Sequence, residues 1–111
     1  MWFYCNKSFL SIVEDRNDKK NLLVRARAEG HIEELFPNAE VQVDGSADYR
    51  FRSILPRKTV AKAIKHQVKK IDYDNFKNSV CDEALHNAYL DVWGVMQSYQ
   101  EGAYDPCHQW R

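Results

Sequence analysis

The hydrophobic period changes between residues 22 and 71, and this constrains the fold more than any other feature of the chain. Leu22, Val24 and Ala26 alternate with Leu23, Arg25 and Arg27. That is the period of two expected of a strand with one buried face. Further on, Val60, Ile64, Val68 and Ile71 recur at intervals of four, four and three. That is the stripe of an amphipathic helix. A short chain carrying both patterns must pack helix on sheet, so an α+β domain is expected.

The remaining segments extend this pattern. Residues 1–4 are apolar and read as a strand, being too short and lacking the basic start of a signal peptide. Residues 9–15 alternate weakly and are joined to the strand at 22–28 by a polar turn, so the two form a hairpin. Residues 29–36 read as a short helix stopped by Pro37-Asn38. Strands are expected at 40–44 and 49–55, separated by the turn Gly45-Ser46-Ala47-Asp48. On the second of these, Tyr49, Phe51, Ser53 and Leu55 share one face, and Arg50, Arg52 and Ile54 the other. Pro56 suits the first turn of the following helix. A helical turn is expected at 76–80. Asp82 caps a last helix, whose Leu85, Tyr89, Val92, Trp93, Met96 and Tyr99 are expected to be buried. The resulting expectation is an antiparallel four- to five-stranded sheet with a ferredoxin-like βαββα core and an added C-terminal helix. It places one domain at 1–101 and a tail at 102–111.

Composition narrows the class. The 111 residues hold 16 basic and 16 acidic groups, so the formal net charge is zero. The mean hydropathy of −0.64 and the lack of any apolar run near the ~20 residues of a membrane span exclude an integral helix. Three cysteines, Cys5, Cys81 and Cys107, form no paired framework, and a reducing cytoplasm is the expected compartment.

The neutral total conceals segregation. Residues 1–56 are net −1, residues 57–71 net +6 with no acid, and residues 72–111 net −5. Lys58, Lys62, Lys65 and Lys69 lie on one side of the helix that carries Val60 and Ile64. Such a stripe can dock on phosphates or an acidic partner, or it can simply be a solvated face. Arg25, Arg27, Arg50 and Arg52 are expected together on the sheet face away from the helices. There they either meet a partner or pair with Asp82, Glu83 and Asp91 of an acidic C-terminal helix. On this reading Tyr49 and Phe51 belong to the core, and the arginine face has no aromatic residues for base stacking. Asp72 and Asp74, with Asp82 and Glu83, offer a third charged surface that imitates phosphate.

Signatures of catalysis are sparse. The four glycines are isolated, so no phosphate-binding loop is present. No nucleophile elbow or zinc-protease helix occurs. A zinc set of Cys81, His86, Cys107 and His108 has poor spacing for a tetrahedral site. Asp72-Tyr73-Asp74-Asn75 is shorter than a calcium loop and suits a cap, with Tyr73 and Phe76 as anchors. No catalytic residue, metal or cofactor is therefore assigned.

Several stretches carry a resemblance. They are Phe9-Leu10-Ser11-Ile12-Val13-Glu14, Leu23-Val24-Arg25-Ala26-Arg27, Ala47-Asp48-Tyr49-Arg50-Phe51-Arg52, Ile71-Asp72-Tyr73-Asp74-Asn75-Phe76-Lys77 and His86-Asn87-Ala88-Tyr89-Leu90-Asp91-Val92-Trp93. Together they make the chain, up to about Tyr99, resemble a family of small uncharacterised bacterial and phage proteins of about 100 residues, the usual size of one domain. The resemblance implies one compact cytoplasmic domain and supplies no catalytic residues. Its link to phage genomes implies an accessory protein that inhibits a host defence complex, as anti-CRISPR proteins do. The expected function is a non-enzymatic protein-binding module acting through a charged surface on a bacterial protein or ribonucleoprotein complex. The alternatives are a nucleic-acid-binding domain using the basic helix 57–70, and a small Cys/His enzyme or zinc protein.

Overall fold

A computed structural model describes residues 1–103. It contains five strands and three helices. In chain order they are β1 (Trp2–Tyr4), β2 (Phe9–Glu14), β3 (Asn21–Ala26), α1 (His31–Leu35), β4 (Gln42–Val43), β5 (Phe51–Pro56), α2 (Arg57–Lys69) and α3 (Glu83–Gln100), with a 3-10 turn at Lys77–Ser79 before α3. The fold is α+β, and its single antiparallel sheet has the order β1-β2-β3-β5-β4. The chain divides into two compact units, Met1–Asp74 and a second that begins at Asn75.

In the first unit the alternation of β3 does what its pattern requires. Val24 and Ala26 are fully buried and join Leu10 and Ile12 of β2 in the core. Ile32 and Phe36 from the α1 region and Val60 of α2 cover that face. The hairpin register pairs Ile12 with Val24 and Val24 with Ser53 of β5. The apolar sets of all three strands thus share one face. The buried Ser53, opposite Val24, is small enough to let the helix layer approach the sheet.

Local chemistry sets the element ends. α1 starts at His31, two residues later than its sequence pattern indicates, because Gly30 adopts φ +88° and cannot belong to the helix. Pro56 ends β5 and precedes α2, where its fixed φ of −57° turns the chain. The Arg57 N–H donates to the Lys20 carbonyl at 2.8 Å and ties α2 to the β2–β3 turn.

Two sequence expectations fail in this unit. Tyr49 is buried as expected, but under Arg25 and Arg27 and not in the cluster that Phe51 packs against, because β5 begins only at Phe51 and the alternation does not extend back through residue 50. In α2, Val60 is buried and Ile64 half-buried, but Val68 is exposed, and so is Ile71, which lies beyond the end of the helix. The C-terminal end of the helix borders an open cleft instead of core.

In the second unit, Asp82 caps α3 as its position predicts, its Oδ1 accepting from the Leu85 N–H at 2.9 Å. Asn75 Oδ1 accepts from the Asn78 N–H at 3.3 Å, and Phe76 holds the N-cap position of the 3-10 turn. Phe76 stacks on Tyr89 with ring centroids 5.4 Å apart. His86 Nδ1 donates to the Lys77 carbonyl at 2.7 Å, and Lys77 Nζ lies 5.1 Å from the Trp93 ring centre. The expected burial of α3 is met only in its first half. Tyr89 is buried and Leu85 half-buried, but Val92, Trp93, Met96 and Tyr99 are exposed. The tail expected at 102–111 lies, from residue 104 onward, outside the described residues.

Candidate functional site: an arginine and aromatic sheet face

The helices of the first unit cover one sheet face, so the other face is defined by the opposite parity of each strand. The registers align one row across all five strands: Trp2, Ser11, Arg25, Arg52 and Gln42. Below this row Tyr4 pairs with Phe9. Above it Val13, Leu23 and Ile54 form an aliphatic row. The face therefore grades from aliphatic, through a cationic centre with a tryptophan at its edge, to aromatic.

The centre is held by specific contacts. Arg25 Nη2 donates to Ser11 Oγ at 2.8 Å, and its guanidinium lies 4.6 Å from the Tyr49 ring centre. Its Nε is buried and has no hydrogen-bond partner among the described residues. Arg27 lies 4.2 Å from the same ring and donates through Nη1 to the Asp48 carbonyl at 3.0 Å. Two guanidiniums thus stack on Tyr49, which is buried beneath them. Arg52 stands directly across from Arg25. Asp44 lies near Arg52 at the sheet edge. Its carboxyl is held below the usual range by the Ser46 hydroxyl, then by the Ser46 N–H, with Arg52 contributing least.

The aromatic end is equally organised. Phe9 packs against Tyr4 at 4.8 Å and edge-on to Trp2 at 6.3 Å between centroids. The Phe9 N–H donates to His31 Nδ1 at 3.1 Å, which fixes that histidine's proton on Nε2 in its neutral form. Burial, then the neighbouring Tyr49, pushes the Tyr4 hydroxyl above the usual phenol range. Trp2 remains 64% exposed and Ile54 50% exposed, so the face offers apolar surface beside its charges.

The structure therefore brings Arg25, Arg27 and Arg52 together. Arg50 is exposed just before β5, and only its carbonyl, which accepts from the Asp44 N–H, has a described partner. The partners that Arg25 and Arg27 have among the described residues all belong to the first unit. Lys58, Lys62, Lys65 and Lys69 are exposed along α2, and Asp72 and Asp74 are exposed after it. Sequence reasoning missed Trp2, Tyr4 and Phe9 as members of the arginine face and misplaced Tyr49. The available signal was parity: Phe9, Ser11 and Val13 lie opposite to Leu10 and Ile12, as Leu23 and Arg25 lie opposite to Val24.

Catalytic and metal geometries find little support. A cleft of about 380 Å³ is lined by Cys5, Lys7, Glu34, Lys70, Asp72 and Tyr73 among others. Burial pushes the Cys5 thiol up, outweighing the opposing hydrogen bond from Ser8. The thiol is therefore protonated at neutral pH and a poor nucleophile. Among the described residues no three His, Cys, Asp or Glu side chains gather around a metal position. Cys81 is exposed and His86 Nδ1 is engaged by a carbonyl, while Cys107 and His108 lie outside the described residues. No described helix is long and apolar enough to cross a membrane. Compared with protein-family models, curated proteins and solved structures, the chain matches none.

Proposed function

We propose that this protein is a non-enzymatic binding module that takes single-stranded nucleic acid, free or within a bacterial ribonucleoprotein complex, on the sheet face opposite α1 and α2. The row Trp2, Ser11, Arg25, Arg52 and Gln42 carries this reading, because it sets stacking and phosphate-pairing groups side by side on rigid strands. Single strands are held by just this combination: bases stack on aromatic rings while cations track the backbone. A duplex hides its bases and has no use for the aromatic end. Lys58, Lys62, Lys65 and Lys69 lie on the outer side of α2, which packs on the other face of the sheet, and are a separate basic surface.

We read the strand order, with both helices of the first unit on one face, as a ferredoxin-like arrangement to which α3 is an addition. In sheets of that kind the uncovered face commonly receives RNA. The resemblance to small bacterial and phage proteins supplies a setting. There the module inhibits a CRISPR-type defence complex in the bacterial cytoplasm by occupying its exposed guide or target strand.

Fluorescence anisotropy with labelled single-stranded RNA, single-stranded DNA and duplex DNA across a salt series tests the reading. Single strands should bind more tightly than the duplex, with affinity falling as salt rises. Trp2→Ala should cost ~1–3 kcal/mol, one base's worth of stacking. Arg52→Glu should weaken binding more and flatten the salt slope. Equal binding to the duplex, or no binding at low salt, would exclude the proposal. If Lys62→Glu with Lys65→Glu abolishes binding while Arg52→Glu does not, α2 is the interface instead.

A further inference from the structure

We infer that α3 is a self-association element that pairs with the same helix of a second copy of this chain. Leu85, Tyr89, Val92, Met96 and Tyr99 follow one another at intervals of four, three, four and three. This is the seam of a heptad repeat, with Trp93 and Val95 at the two positions that flank it. A helix so apolar over its C-terminal half needs a cover. Yet Val92 is 37%, Trp93 51%, Val95 46%, Met96 56% and Tyr99 66% exposed.

Charge and area point to an identical helix as that cover. The acids Glu83, Asp91 and Glu101 all fall on outer positions of the repeat, and seam and flank carry no Asp, Glu, Lys or Arg. Among the helix's own residues, two copies therefore close without apposing like charges; Lys77, over Trp93, stands at one edge of the seam. A seam that interdigitates with itself also satisfies the two-fold symmetry of most dimers. Aromatic side chains bury ~150–250 Å² each, so the exposed stripe amounts to on the order of 500 Å² per copy. Doubled, that reaches the ~1,000 Å² at which an interface becomes specific, though at the weak end. The pairing is accordingly a reversible, concentration-dependent dimer.

Sedimentation velocity of the full chain over a concentration series tests this. The wild type should pass from monomer to dimer within the micromolar range. Met96→Glu should weaken dimerisation by at least ~tenfold, and Tyr99→Gln should do so with less perturbation. Asn87→Glu, on the outer surface of the helix, should leave it unchanged. Circular dichroism melts establish that each variant is folded. A wild type that stays monomeric at every concentration would overturn the proposal, whether another part of the chain or a foreign protein covers α3. Equal weakening by Asn87→Glu and Met96→Glu would overturn it too, because net charge and not the seam would then govern association.

Discussion

Val24 in β3 and Val92 in α3 are both valines in regular apolar patterns, and their fates are opposite. Val24 is fully buried, with Leu10, Ile12, Ile32 and Val60 in the same cluster. Val92 is 37% exposed, as are most of the apolar residues that follow it to Tyr99 in similar or greater degree. Periodicity determines which residues share a face. Burial requires in addition that another element be available to cover it. The first unit supplies that cover from α1 and α2. Within the second unit the segment around the 3-10 turn is short: Phe76 meets Tyr89 and Lys77 reaches Trp93, while Val92, Val95 and Met96 stay exposed.

This contrast is open to direct attack. Leu10→Ala removes a fully buried side chain at the centre of the sheet core and should cost ~2–5 kcal/mol in urea denaturation. Met96→Ala, measured at a concentration where the chain is monomeric, should cost under ~1 kcal/mol because its side chain is already half in water. Equal costs would mean that α3 is part of a core, and the contrast would collapse.

Smaller effects sharpen the comparison. Asp82→Ala should cost ~1 kcal/mol by releasing the first-turn N–H groups of α3, an effect readable as reduced helicity and protection of 83–86 in hydrogen exchange. Glu14→Gln breaks the 2.8 Å pair with Arg57, but both side chains are about half exposed. It should cost no more than ~0.5 kcal/mol, and less at high salt.

The cysteines give the smallest effect at neutral pH. Cys5 is buried and Cys81 exposed, so a thiol reagent should label Cys81 at once and Cys5 only on unfolding. Because the folded state holds the Cys5 proton more tightly than the unfolded state, this group should not alter stability below its ordinary value of 9.0. As pH rises beyond that value, stability should fall until the folded-state thiol also ionises. Cys5→Ala should remove this alkaline component from a melting-temperature profile.

Much of the first unit was legible in the chain. The alternation at Leu22, Val24 and Ala26 identified the core strand, and Asp82 announced the start of α3. Parity alone placed Arg25 and Arg52 on one face. Tyr49 escaped because alternation holds only while the backbone stays extended, and β5 starts two residues later. Trp2, Tyr4 and Phe9 escaped because no local pattern says which strands are neighbours. Only the registers Trp2 with Ser11 and Ser11 with Arg25 bring the aromatic end to the arginines.

The sequence by itself determined the class of fold, the elements and the sidedness of each strand, since these follow from short-range periodicity and backbone preferences. It also determined that the zero net charge is assembled from opposed segments. Tertiary structure decided what each side faces. It gathered three of the four scattered arginines, stacked Arg25 and Arg27 on Tyr49 with Arg52 alongside, and drew aromatics in from the sheet edge. Among the described residues of the second unit it supplied too little surface to bury the apolar stripe of α3, because strand pairing and the supply of covering surface depend on the whole chain and not on any one segment.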